Sequence, residues 1–88
     1  MSKQYQMPDP TFSTFIASLS SSAMVQLGEI AEPTTGQKEA NLPMAKHTID
    51  VIAMLQEKTK GNLTNEENKL IQNVLTDLRM RYIRAINK

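Results

Sequence analysis

Residues 58–67 read KTKGNLTNEE, and this stretch decides the fold because it ends one helix and begins another. Lysines suit the negative C-terminal end of a helix, and Gly61 can take the left-handed conformation that stops it. Thr64 and Glu67 then have the spacing of a capping box, in which each side chain accepts a hydrogen bond from the other residue's free amide. A link this short predicts an antiparallel helical hairpin.

Apolar residues recur at three- and four-residue spacing on both sides of this link, which places them on one face of a helix. The second helix is predicted over 42–60, with Asn41 as its cap and Pro43 in its first turn. Its predicted core face is Ala45, Ile49, Ile52 and Leu55. The third helix is predicted over 65–85. Its predicted core stripe is Leu70, Ile71, Val74, Leu75, Leu78, Tyr82 and Ile86.

A first helix is predicted over 10–27, because Asp9 can cap it, Pro10 suits its first position and Gly28 can end it. Its predicted core face is Phe12, Phe15, Ile16, Leu19, Ala23 and Leu27. Residues 29–40 lack periodicity and are expected to form a loop. We therefore predict an all-α fold of about three helices, with a flexible tail over 1–9 and a single helical domain over 10–88.

The length and composition limit the classes of protein to consider. A chain of 88 residues forms one domain, and the small core of such a domain gives only marginal stability unless another interaction adds to it. Because the chain has no cysteine, disulfides cannot add to its stability, and we expect association with another chain to do so. The formal net charge of +1 is far from the basic excess of a dedicated nucleic-acid binder, and the first residues lack a signal peptide. We expect a cytoplasmic protein.

Catalytic and metal-binding groups are scarce. With one histidine and no cysteine, no metal site can be assembled, and most carboxylates are predicted to lie in helix caps or in pairs such as Lys46 with Asp50 and Asp77 with Arg81. No nucleophile, base and oxyanion donors can be combined. We predict no enzyme, no cofactor and no small-molecule ligand. His47 is expected at the surface or in an interface, with a pH-sensing role left open.

The first helix is unusual because nothing between Pro10 and Gly28 is charged, whereas a helix exposed on one side normally carries Lys or Glu. A helix covered on two sides is predicted, and the second cover is another copy, first of all in a dimer, or a different protein. Paired apolar residues on the polar sides of the other two helices favour the same interpretation. The candidate interface is Thr14, Ala17, Ser18, Ser21, Met24, Val25, Val51, Met54, Met80 and Ile83. A merely solvated serine-rich face stays open as an alternative, whereas insertion into a membrane is disfavoured by the serines.

A second hypothesis for function concerns the basic end of the third helix. An accessory role in contacting RNA or a ribonucleoprotein is indicated weakly by Arg79, Arg81, Arg84 and Lys88, with Tyr82 among them. Cations near a helix C-terminus also stabilise the helix dipole, which explains the same residues without a ligand. Nucleic acid is therefore only the alternative to a protein partner.

Several stretches together resemble a known family. They are Asn41-Leu42, Ala45, Thr48-Ile49-Asp50, MLQEKTKGNLT at 54–64 and LRMRY at 78–82. The stretch from Phe12 to Ile30 is similar to the same family's first helix. The family is the bacterial one labelled domain of unknown function 1844. The resemblance implies a small, helical, cytoplasmic bacterial protein with no assigned activity, cofactor or catalytic residue.

Overall fold

A computed structural model describes residues 10–87 of the chain. These residues form three helices, α1 over Phe12–Gln26, α2 over Leu42–Lys58 and α3 over Asn65–Ile86, and no strand occurs among them. The predicted all-α, three-helix fold is confirmed. The predicted tail over 1–9 lies outside the described residues.

The start of α1 differs from the prediction. The helix begins at Phe12, and Thr11 is its cap. The Thr11 hydroxyl accepts a hydrogen bond from the Thr14 amide at 3.1 Å, while the Thr14 hydroxyl accepts one from the Thr11 amide at 3.2 Å. This reciprocal pair satisfies two free amides at the start of the helix. The sequence predicted Asp9 as the cap, and Asp9 lies outside the described residues. At the other end, Gly28 has a φ of 81°, as its predicted role in ending the helix requires.

The hairpin of α2 and α3 has the predicted construction. Thr64 and Glu67 form the capping box, with the Glu67 amide donating to the Thr64 hydroxyl at 3.1 Å and the Thr64 amide donating to the Glu67 carboxylate at 2.9 Å. Gly61 has a φ of 82° in the link between the helices. The Gln56 side chain donates to that of Gln72 at 3.1 Å and so joins the two helices near their link.

The three helices meet around a small apolar core. Its buried side chains are Ile16, Ala23, Leu27, Ala45, Ile49, Ile52, Ile71, Leu75 and Leu78. The predicted burial was wrong for two residues, because Phe15 is 48% exposed and Ile86 is 51% exposed. Phe15 lies 100° around α1 from the fully buried Ile16, and Ile86 is the last residue of α3. Both side chains therefore lie at an edge of the core.

The loop between α1 and α2 returns the chain directly to the end of α1. The Asn41 amide donates to the main-chain oxygen of Gln26 at 2.7 Å, and the Asn41 side chain accepts from the Met44 amide at 3.1 Å to cap α2. The Cα trace measures only 16 Å along its shortest principal axis. Since a helix with its side chains is about 10–12 Å across, the fold is thin and leaves one side of each helix without cover from the other two.

Candidate interaction surface

The side of α1 that faces away from the core carries no charge. Over Phe12–Gln26 the helix contains no Asp, Glu, Lys or Arg, and its first turn has no acidic and its last turn no basic residue. Helical spacing brings one set of side chains to the solvent side, all of them exposed except the half-buried Val25. We call this set the α1 outer surface: Phe15, Ala17, Ser18, Ser21, Ser22 and Val25.

An open hollow of about 500 Å³ adjoins the C-terminal half of the α1 outer surface. Ser21, Ser22 and Val25 line it from α1, and Met44 lines it from the first turn of α2. Met44 is 48% exposed, as Phe15 is at the other end of the same surface. The outer surface therefore has small polar side chains in the middle and a large apolar side chain near each end.

The structure places the predicted interface residues in different surroundings. Ala17, Ser18, Ser21 and Val25 belong to the α1 outer surface, but Met24 packs against the core and Thr14 takes part in the cap of α1. Val51 is half-buried on α2, whereas Met54, Met80 and Ile83 are 47%, 55% and 53% exposed. Ile83 lines a different hollow, of about 230 Å³, between α2 and α3. The ten residues thus do not form one continuous surface.

The cationic side chains at the end of α3 are also divided. Arg81 bonds Asp77 through Nε at 2.8 Å and Glu29 through Nη1, and the hydrogen bond with Asp77 is the main reason that the pKa of Arg81 is raised. Arg79 lines the hollow between α2 and α3, whereas Arg84 and Arg81 line a third hollow beside Gly28. Lys88 lies outside the described residues. Contact with RNA through all four cations stays a prediction, and the structure does not place the three described ones on a single surface.

One comparison with known proteins bears on this chain. A family model described as a domain of unknown function (DUF1844) matches residues 9–84. The chain belongs to the DUF1844 family. The match extends over all three helices and confirms the resemblance seen in the sequence. No curated protein and no solved structure matches the chain. Because the family description assigns no activity, the function of this DUF1844 protein has to be argued from its surfaces.

The described part of the DUF1844 chain offers no metal-binding cluster. Within residues 10–87 no three His, Cys, Asp or Glu side chains lie close enough together to hold a metal ion, and His47 is exposed on α2. Lys46 and Asp50 form the predicted ion pair at 3.0 Å, and this hydrogen bond raises the pKa of Lys46. Among the helices that the structure describes, none is both long and apolar enough to cross a membrane.

Several residues that line the surfaces of this DUF1844 fold were not predicted from the sequence. Phe15 was predicted in the core and no prediction was made for Met44, although both are 48% exposed. Glu29 and Lys38 lie in the predicted loop, but its contact with the end of α3 was not predicted. The absence of charge from α1 is the sequence feature that predicted the α1 outer surface.

Proposed function

We propose that this DUF1844 protein is a non-enzymatic helical interaction module, located in the cytoplasm, and that it forms a homodimer through the α1 outer surface. The observation that carries the proposal is a helix face that is exposed along its length and yet carries no charge. Helices that face water normally carry Lys or Glu on that side. Covering such a face removes no charged group from water, which avoids the largest desolvation cost.

A second copy of the chain is the occupant that suits this surface best. With no charge on α1, the face gives a strongly charged partner nothing to pair with. In a two-fold contact the same surface occurs on both sides, so Phe15 of one copy can pack beside the serines and Val25 of the other. Small side chains in the middle let the two helix backbones approach closely.

A stable dimer would have to bury more surface than α1 alone presents. A stable interface buries about 800 Å² on each partner, which is more than one face of a 15-residue helix supplies. Phe15 and Met44 are both about half exposed, and Met44 lies across the hollow from Ser21 and Val25. A partner helix seated along α1 would cover these side chains and fill the hollow.

Replacing Ser21 with Arg tests the dimer directly. Ser21 is exposed in the single chain, so Ser21→Arg leaves the fold intact but buries an unpaired charge in any α1 contact. We expect light scattering at micromolar concentration to give twice the chain mass for the natural protein and the single mass for Ser21→Arg. Thr76→Arg, an exposed position on α3, is the matched control and should remain dimeric.

Two results would overturn the proposed dimer. One is a strictly monomeric natural chain at about 100 μM, a concentration at which even weak specific dimers associate. The other is dissociation by Thr76→Arg as complete as that by Ser21→Arg, because the contact would then not depend on α1.

A further inference from the structure

We infer that the hollow between the end of α1 and the end of α3 binds a phosphate monoester. The hollow has a volume of about 400 Å³ and is lined by Leu27, Gly28, Glu29, Lys38, Arg81, Arg84 and Ala85. It is separate from the α1 outer surface, so the inference is independent of the proposed dimer. We call it the cationic hollow.

Three cationic side chains from two parts of the chain converge there. Lys38 comes from the loop between α1 and α2, while Arg81 and Arg84 lie one turn apart on α3. Arg81 is already paired with both Glu29 and Asp77, so the charges left for a ligand are those of Lys38 and Arg84. Lys38 and Arg84 are exposed, and neither forms an ion pair with any residue in the 10–87 range. Both side chains are therefore available to a ligand.

Arg81 is held in place as a fixed donor. Its Nε atom bonds Asp77 at 2.8 Å and its Nη1 atom bonds Glu29, so the guanidinium is fixed from two sides and only 28% of the side chain is exposed. A guanidinium has five N–H donors, and the Nη2 group is left over from these two bonds. A planar, pre-oriented guanidinium is well suited to the oxygens of a phosphate.

The charge of the lining selects among anions. A phosphate monoester carries close to two negative charges at neutral pH, one for each of the two lining cations, Lys38 and Arg84, that have no carboxylate partner among the described residues. A phosphodiester, as in RNA, carries one charge for each phosphate. The other lining residues, Leu27, Gly28 and Ala85, have no polar side-chain group, which leaves the cations as the groups that recognise an anion. The volume lies within the range of small-ligand sites.

A purely structural role for the cations makes a different prediction. The hollow lies beside the C-terminal ends of α1 and α3, where cations stabilise the helix dipoles without any ligand. On that account, replacing Arg84 lowers thermal stability, and phosphate has no saturable effect on the protein. The two accounts are separated by measuring binding rather than stability.

The test is an NMR titration of the full chain with inorganic phosphate and then AMP at constant ionic strength. We expect saturable shifts of the amide signals of Gly28, Lys38 and Ala85. Arg84→Gln and Lys38→Gln should each weaken AMP binding by about tenfold, the loss expected for one charge-assisted hydrogen bond. Arg79→Gln removes the same charge from α3 outside the hollow and should bind as the natural chain does. Ser21→Arg should also bind normally, whatever its oligomeric state.

Cyclic AMP and a six-residue uridine oligonucleotide test the choice of monoester. Both are phosphodiesters, and we expect each to bind at least about threefold more weakly than AMP per phosphate. A glycerol phosphate and a short phosphoserine peptide then distinguish a small-molecule source of the monoester from a protein source. Non-saturable shifts, shifts unchanged by both Arg84→Gln and Lys38→Gln, or tighter binding of the diesters would overturn the inference.

Discussion

Thr48 on α2 donates its hydroxyl hydrogen to the side-chain oxygen of Gln26 on α1 at an oxygen-to-oxygen distance of 2.6 Å. Thr48 is only 6% exposed and is the buried polar side chain of the described core. The main-chain oxygen of Gln26 also accepts the Asn41 amide, so one residue at the end of α1 holds both the loop and α2. These two hydrogen bonds join the end of α1 to α2 and to the loop that precedes it.

Thr48→Val should destabilise the protein although it keeps the shape of the side chain. The change removes the donor and leaves the Gln26 oxygen without its partner, which costs about 1–2 kcal/mol in the free energy of unfolding. Urea denaturation followed by circular dichroism measures this loss. Thr76→Val, an exposed position on α3, is the control and should change the stability by less than about 0.5 kcal/mol. Equal stability of the two variants would contradict the structural role of Thr48.

The Glu29–Arg81 ion pair should show measurable coupling in a double-mutant cycle. It joins residues that are 52 positions apart and are about one-third exposed, with Asp77 as a second partner of Arg81. For Glu29→Gln and Arg81→Gln we expect a coupling of about 0.5–1 kcal/mol in low salt, reduced at 0.5 M NaCl. The cycle for Lys46 and Asp50, which are both 61% exposed, is the comparison. A coupling there as large as that of Glu29 and Arg81 would contradict the expectation.

Gly28 and Gly61 should respond differently to alanine. Both have a φ near 80°, so alanine at either site adopts a left-handed conformation at a cost of about 1–2 kcal/mol. At Gly61 a new Cβ meets open space, whereas at Gly28 it lies 3.2 Å from the Cβ of Ala40. Urea denaturation should therefore rank Gly28→Ala as less stable than Gly61→Ala. Equal stability of the two variants would contradict the expectation, because the loop would then move away from the new Cβ at no cost.

The sequence predicted features that depend on neighbours along the chain and missed those that depend on how the helices meet. The Thr64 capping box and the left-handed Gly61 follow from short-range chemistry, and both are present. Phe15 has the right spacing for the core, but its burial depends on how far α2 and α3 reach around α1, which periodicity does not contain. The Glu29–Arg81 pair is hidden for the same reason, because nothing local links a loop to a helix 52 residues away.

Glu32 should titrate below its ordinary pKa of 4.5, because its carboxylate accepts hydrogen bonds from both the hydroxyl and the amide of Thr34. These bonds favour the ionised form in the folded loop, so the folded state binds fewer protons than the unfolded state. Their stabilising effect is fully present above pH 4.5 and is lost as the pH falls through the lowered pKa. Carbon-13 NMR of the Glu32 carboxyl between pH 7 and pH 2 measures the midpoint. Thr34→Val removes the hydroxyl, which is the larger cause, and should move the midpoint back towards 4.5. A midpoint unchanged by Thr34→Val would mean that the hydroxyl bond does not hold the loop in solution.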